Sequence, residues 1–100
     1  HVWTADTQTV AERSAWVAQL DEMAALQPAM VVPGHMPAGT ALDVTNVTYT
    51  KGYLQAFEKN AAAAKNSAEL IDAMKKAYPA APMGLSLEIG AKVNKGEMKW

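Results

Sequence analysis

The side chains of this chain that could bind a metal or carry a proton near neutral pH are two histidines, His1 and His35, and ten carboxylates. There is no cysteine, which excludes a disulfide framework, a thiolate nucleophile and a Cys-type zinc cluster. His1 and His35 are far apart in sequence and lack the His-x-His or His-x-x-x-His spacing of a local metal site. No glycine-rich phosphate loop and no Gly-x-Ser-x-Gly elbow occurs. Ser14, Ser67 and Ser86 lie in helix-like contexts, and spacing singles out none of them as a partner for a histidine. His35 has the more informative setting. It follows Pro33-Gly34, a turn signal, which in turn follows the apolar run Ala29-Met30-Val31-Val32. A short buried strand ending in such a turn delivers an imidazole to the C-terminal edge of a sheet, where open α/β architectures place ligands. Gly34 is expected to let the backbone turn sharply, so that the ring faces back toward the sheet.

The elements that would hold His35 are mostly helical. Thr9-Val10-Ala11-Glu12 has the form of a capping box. Behind it Trp16, Leu20, Met23 and Ala24 fall on one helical face, and Pro28 stops the segment. The pattern predicts a helix from about Val10 to Leu26, with Trp16 as a core anchor. Asp43 is a good N-cap, and Val47, Leu54, Phe57 and Ala61 form a second stripe. One long helix from about Asp43 to Ala64 follows, weakened at Gly52, although the β-branched residues between Val44 and Thr50 would suit a strand. Asn66-Ser67-Ala68-Glu69 caps a third helix carrying Leu70, Ile71, Met74 and Tyr78, ended by Pro79. In the tail, Leu85, Leu87, Ile89, Ala91 and Val93 alternate like a strand, while Leu85, Ile89 and Val93 fit a helix. A lone strand pair is marginal in water, so helix is preferred over residues 83–95.

Half of the 100 residues are hydrophobic, and 20 of those are alanine. The remainder suffice for one modest core and exclude two full domains. High apolar content and a net charge of −1 exclude a long disordered tail. No stretch approaches the ~18 consecutive apolar residues of a membrane span, so no membrane partner is expected. Residues 1–50 carry Arg13 against five acids, and residues 51–100 carry eight lysines against five acids. The lysines are dispersed among acids, which reads as solvated helix faces rather than a nucleic-acid footprint. The chain opens on His1-Val2-Trp3, without an initiator methionine or a basic leader. It is therefore expected to be an excised piece of a longer protein or a form trimmed at its front.

The run Arg13-x-x-Trp16-x-x-x-Leu20-x-x-Met23-x-x-Leu26-x-Pro28-x-x-Val31-Val32-Pro33-Gly34-His35 resembles the closing metal-ligand segment of the metallo-β-lactamase superfamily, whose members include glyoxalase II and many bacterial hydrolases. The resemblance is specific over roughly residues 1–36. The stretch from His35 to Trp100 resembles, more loosely, the helical C-terminal extension of one bacterial branch. It implies that the helix packs outside a sheet and that a short strand follows. It further implies that His35 is the last histidine of a zinc site, a metal ligand acting as neutral imidazole. Asp6 lies too close to the helix to be the bridging aspartate of that family, and the role is not carried over. The signature His-x-His-x-Asp-His run is absent here and would lie before His1.

The fold expectation is thus a mostly α chain with one short strand: residues 1–42 as the C-terminal helix–strand–loop of an αβ/βα sandwich, and residues 43–100 as a helical extension. The function implied is metal-assisted hydrolysis by a longer parent, with zinc in that parent and none held by this chain alone. The partner expected is the N-terminal part of the parent. The isolated chain is expected to form homo-oligomers, because Trp16, Leu20, Met23, Met30 and Val31 would lose the cover of the absent sheet. The alternative from a different class is a non-catalytic helical module for protein interaction or small-molecule binding, with Trp16, Phe57, Trp100 and methionines lining an apolar surface.

Overall fold

Thr9 caps the first helix as its spacing predicts: its hydroxyl accepts from the Glu12 N–H at 3.1 Å, and the Glu12 carboxylate reaches back to the N–H of Gln8. The resulting helix, α1, spans Val10–Ala25 in the computed structural model, which describes residues 1–100. It ends where Gln27 turns into the left-handed region at φ 51° just before Pro28. The second helix, α2, spans Thr45–Ala63 and passes through Gly52 without a break. Asp43 caps it from one position further out than expected, accepting from the Thr45 N–H at 2.9 Å. The third, α3, spans Ser67–Ala77 behind the Asn66 cap, and the fourth, α4, spans Gly84–Asn94. There is no strand, and no helix is long and apolar enough to cross a membrane.

The absence of a strand corrects the reading of Ala29–Val32. Pro28 and Pro33 bracket that segment and donate nothing, and a strand is stable only against a neighbour that takes its hydrogen bonds. No other segment runs alongside; a single backbone bond, from the Val31 N–H to the Leu42 carbonyl, stands where a ladder would be. The tail, in contrast, is helical as preferred, but its inner face is not the Leu85–Ile89–Val93 stripe. Ser86, Leu87, Gly90, Ala91 and Val93 are buried, while Leu85 is exposed.

α2 is the centre of the packing. Its Tyr53 and Phe57 meet Leu70 and Met74 of α3 and Leu87 and Ala91 of α4 in the main core. Its Val47 and Leu54 meet Leu20 of α1 in a second cluster, flanked by half-buried Trp16, Val17, Ala24 and Val31. The α1 face that the family resemblance assigns to a sheet is therefore covered by α2. Met23 and Met30 remain exposed. Residues 1–7 form a seam along the helices: Val2 touches both clusters, Thr4 and Ala5 are almost fully enclosed, and Asp6 is exposed. Thr4 lies against Gly90, and the Asn94 side chain donates to the Thr4 carbonyl at 3.1 Å.

Candidate functional site

His35 sits on the loop between α1 and α2, and the loop's shape follows from a few polar contacts at its base. The two legs meet at Val31 and Leu42. Between them Pro37 to Thr40 form a turn. The Pro37 carbonyl accepts from the Thr40 N–H at 3.3 Å and from its hydroxyl at 2.7 Å. Gly39, third in that turn, has φ +80°, the left-handed value a type II turn requires there. The chain does bend at Gly34 and His35, but without a positive φ at Gly34, and a Cβ at that position would meet nothing within 4 Å, so the bend does not require glycine. Of the loop's two glycines, Gly39 is the one that uses the left-handed region.

Asn46, in the first turn of α2, closes the base. Its side-chain amide nitrogen donates to the carbonyl of Val31 at 3.1 Å, of Ala41 at 2.7 Å and of Asp43 at 3.2 Å. The first two acceptors lie on opposite legs. Asp43 lies three residues before it, its carboxyl held below the usual carboxylate range by hydrogen bonds from the Thr45 hydroxyl and N–H. The result has the character of an Ω-loop, with close ends and His35 outward.

The His35 imidazole is exposed and forms no hydrogen bond; the imidazole that does is that of His1, whose Nδ1 lies 3.0 Å from the Tyr53 hydroxyl. The loop's own apolar side chains, Met30, Val32, Met36 and Leu42, are also exposed, Met30 to 66%. A zinc site needs three or four converging ligands, and no group of three or more His, Cys, Asp and Glu side chains in the chain is placed to hold one. The donor chemistry of His35 fits one corner of such a site, with an accessible ring on a loop tied at its base.

Sequence reasoning missed two polar constellations. Asp6 accepts from both the Trp3 and the Trp100 indole N–H, each at 2.8 Å, and the two rings pack edge to face. Tyr53 packs against Tyr49 and Tyr78, with His1 at its edge. Burial pushes all three phenols above their ordinary range, and the neighbouring phenolates add to this at Tyr53 and Tyr49. Each has a local half, Trp3 with Asp6 and Tyr49 with Tyr53 at i,i+4, but is completed by a residue distant in sequence, Trp100 in the first and His1 and Tyr78 in the second. A groove of about 540 Å³, open along one side, runs between the amino-terminal seam and α1, lined in part by Trp3, Asp6, Glu12 and Trp16. Phe57, expected on an apolar surface in the alternative reading, is fully buried, whereas Trp100 is 61% exposed.

No family model, no curated protein and no solved structure matches this chain.

Proposed function

We propose that this chain is the C-terminal portion of a zinc-dependent hydrolase of the metallo-β-lactamase superfamily, inactive in isolation, in which His35 supplies one metal ligand. The observation that carries this reading is the state of the His35 loop. An unengaged imidazole stands on a loop closed at its base, among exposed apolar side chains of the same loop. Exposed apolar side chains grouped with a free ligand are the surface expected of a site completed by another part of the protein. In the parent, residues preceding His1 would provide the sheet and the remaining ligands. A zinc ion bound there would lower the pKa of a coordinated water toward ~7 and polarise a carbonyl or ester. This chain's own contribution would be the His35 imidazole, carried on a loop tied at its base. Isolated, the same apolar surface pairs with a second copy, so sedimentation at micromolar concentration should show a dimer or larger species.

The test is His35→Ala in the parent chain. Hydrolysis and zinc stoichiometry should fall while the melting temperature holds, since an exposed loop side chain packs against nothing in the core. Unchanged turnover with a full metal complement would refute the assignment. A second reading, a non-catalytic helical module that binds a small molecule, is favoured by the open groove beside Trp3 and Trp16. It predicts a ligand-dependent change in tryptophan fluorescence in the isolated chain.

A further inference from the structure

We propose that the groove between the amino-terminal seam and α1 binds a small organic cation, a free quaternary or tertiary ammonium compound of about the size of choline. This deepens the small-molecule reading above and is independent of the hydrolase assignment. The juxtaposition that carries it is two indoles and two carboxylates with no basic side chain among them. Trp3, Trp16, Asp6 and Glu12 line the groove, and no lysine, arginine or histidine does.

Neither carboxylate has a cationic partner. The ion pairs of the chain join Arg13 to Glu58, Lys51 to Asp21, Lys76 to Asp72 and Lys92 to Glu88. Asp6 accepts instead from neutral donors, the Trp3 indole on one oxygen and the Trp100 indole on the other, each at 2.8 Å. Neutral donors fix a carboxylate in place without cancelling its charge, and they leave further lone pairs open. Glu12 accepts from the Gln8 N–H, again a neutral group. Arg13 is the only lysine or arginine in residues 1–50. Its guanidinium is turned inward onto Glu58, the Thr7 carbonyl and Asn94. The positive end of α1 lies beside the groove, but the Thr9 hydroxyl and the Glu12 carboxylate already take up N–H groups there.

The indoles supply the other half of the site. The N–H of Trp3 is its only donor and is committed to Asp6, so the ring meets the groove as apolar and π surface. Trp100 braces that ring edge to face, with centroids 4.8 Å apart. A weakly hydrated cation is drawn to an indole face more strongly than to any other aromatic side chain. A quaternary ammonium group buries its methyls against the ring while its charge faces the carboxylates. A strongly hydrated sodium ion gains nothing from the rings, and an anion is repelled by both acids. The groove, of about 540 Å³, lies within the size range of small-molecule sites.

The test uses the 100-residue chain and follows its three indole N–H signals in a proton–nitrogen correlation spectrum. Three probes of one shape are titrated at constant ionic strength: choline, the uncharged alcohol with a tert-butyl group in place of trimethylammonium, and the anion tert-butylacetate. Choline should shift the Trp3 and Trp16 signals saturably, and the anion should not. The alcohol should bind at least about fivefold more weakly, the factor given by two unit charges about 4 Å apart in water. Asp6→Asn and Glu12→Gln should each weaken choline by a similar factor and leave the alcohol unchanged. Glutamine still completes the Thr9 capping box, so Glu12→Gln removes charge from an intact helix. An alcohol that binds as tightly as choline, or choline affinity unmoved in both variants, overturns the cation assignment and leaves the small-molecule reading standing. No saturable shift with any probe overturns the groove as a binding site altogether. Phosphatidylcholine vesicles should leave the chain in the supernatant; co-sedimentation without a response to free choline overturns the free compound as the ligand.

Discussion

The Arg13 guanidinium of α1 and the Glu58 carboxylate of α2 form a two-pronged ion pair in which the arginine side chain is only 6% exposed. The same guanidinium donates to the Thr7 carbonyl at 2.8 Å and to the Asn94 side chain, and lies over the Phe57 ring. One side chain thus joins the amino-terminal seam, α2 and α4. Removing a partner from a buried pair strands the other charge, at about 3–5 kcal/mol. Glu58 is one-third exposed, so water offsets part of that. Glu58→Ala should cost about 2–4 kcal/mol in urea unfolding, and Glu58→Gln less, because its amide oxygen still accepts. A loss below 0.5 kcal/mol, the surface-substitution scale of about ±0.5, would show that the pair contributes nothing net.

Gly90 should tolerate no side chain. A Cβ there would stand 2.3 Å from the Thr4 hydroxyl oxygen, which is buried without a hydrogen-bond partner. Gly90→Ala should destabilise by about 1–3 kcal/mol, the range for overpacked sites. Thr4→Ala removes the clashing oxygen and an unsatisfied buried group together. The double variant should recover most of the loss, since the remaining neighbours lie 3.5 Å or more away. Additive losses in a double-mutant cycle would contradict this account.

The two loop glycines should behave oppositely. Gly39→Ala forces a left-handed φ on an L-residue, at about 1–2 kcal/mol. Gly34→Ala meets open space at an ordinary φ and should be neutral or slightly stabilising through the unfolded chain. Thermal unfolding of the pair decides it; equal effects would place the turn elsewhere.

Stability should fall at both pH extremes. Burial raises the phenol pKa of Tyr53, Tyr49 and Tyr78 in the folded state. Their contribution is complete below the unfolded value of about 10 and is lost as pH rises past it, because the unfolded chain ionises first. Tyr53→Phe should flatten the alkaline limb. At the acid end, hydrogen bonds from the Ser67 N–H and hydroxyl hold Glu97 below the usual carboxylate range. Its contribution is present above about pH 4.3 and disappears as pH falls through the lower folded value. Urea midpoints from pH 3 to 11 would check both limbs, and a flat profile above pH 10 would contradict the tyrosine account.

The helices were legible because their signals are local. Thr9 and Asn66 cap as their spacing indicates, and the stripes of α2 and α3 become the core. The strand expected at Ala29–Val32 does not form because a strand is a property of two segments, and its apolar residues cannot announce that no partner exists. The amino-terminal seam was illegible for a related reason. Thr4 and Ala5 are small, lack periodicity, and are buried by a helix some ninety residues away. At the candidate site, Pro33-Gly34-His35 marked the loop, but Gly39 and Asn46 give it shape. An asparagine beside a strong capping aspartate carries no separate signal until the legs of the loop are seen to converge on it.

The seam also links the order of synthesis to the order of folding. α1, α2 and α3 pack on sequence neighbours, and such contacts form early. Thr4 finds its place only against Gly90 and Asn94, ninety residues later in the chain. Closing a loop that long adds little to the equilibrium cost, about 0.6 kcal/mol per doubling of length, but it delays the step. On the ribosome, residues 1–7 emerge well before α4, and Thr4 and Ala5 stay exposed until that helix follows and covers them.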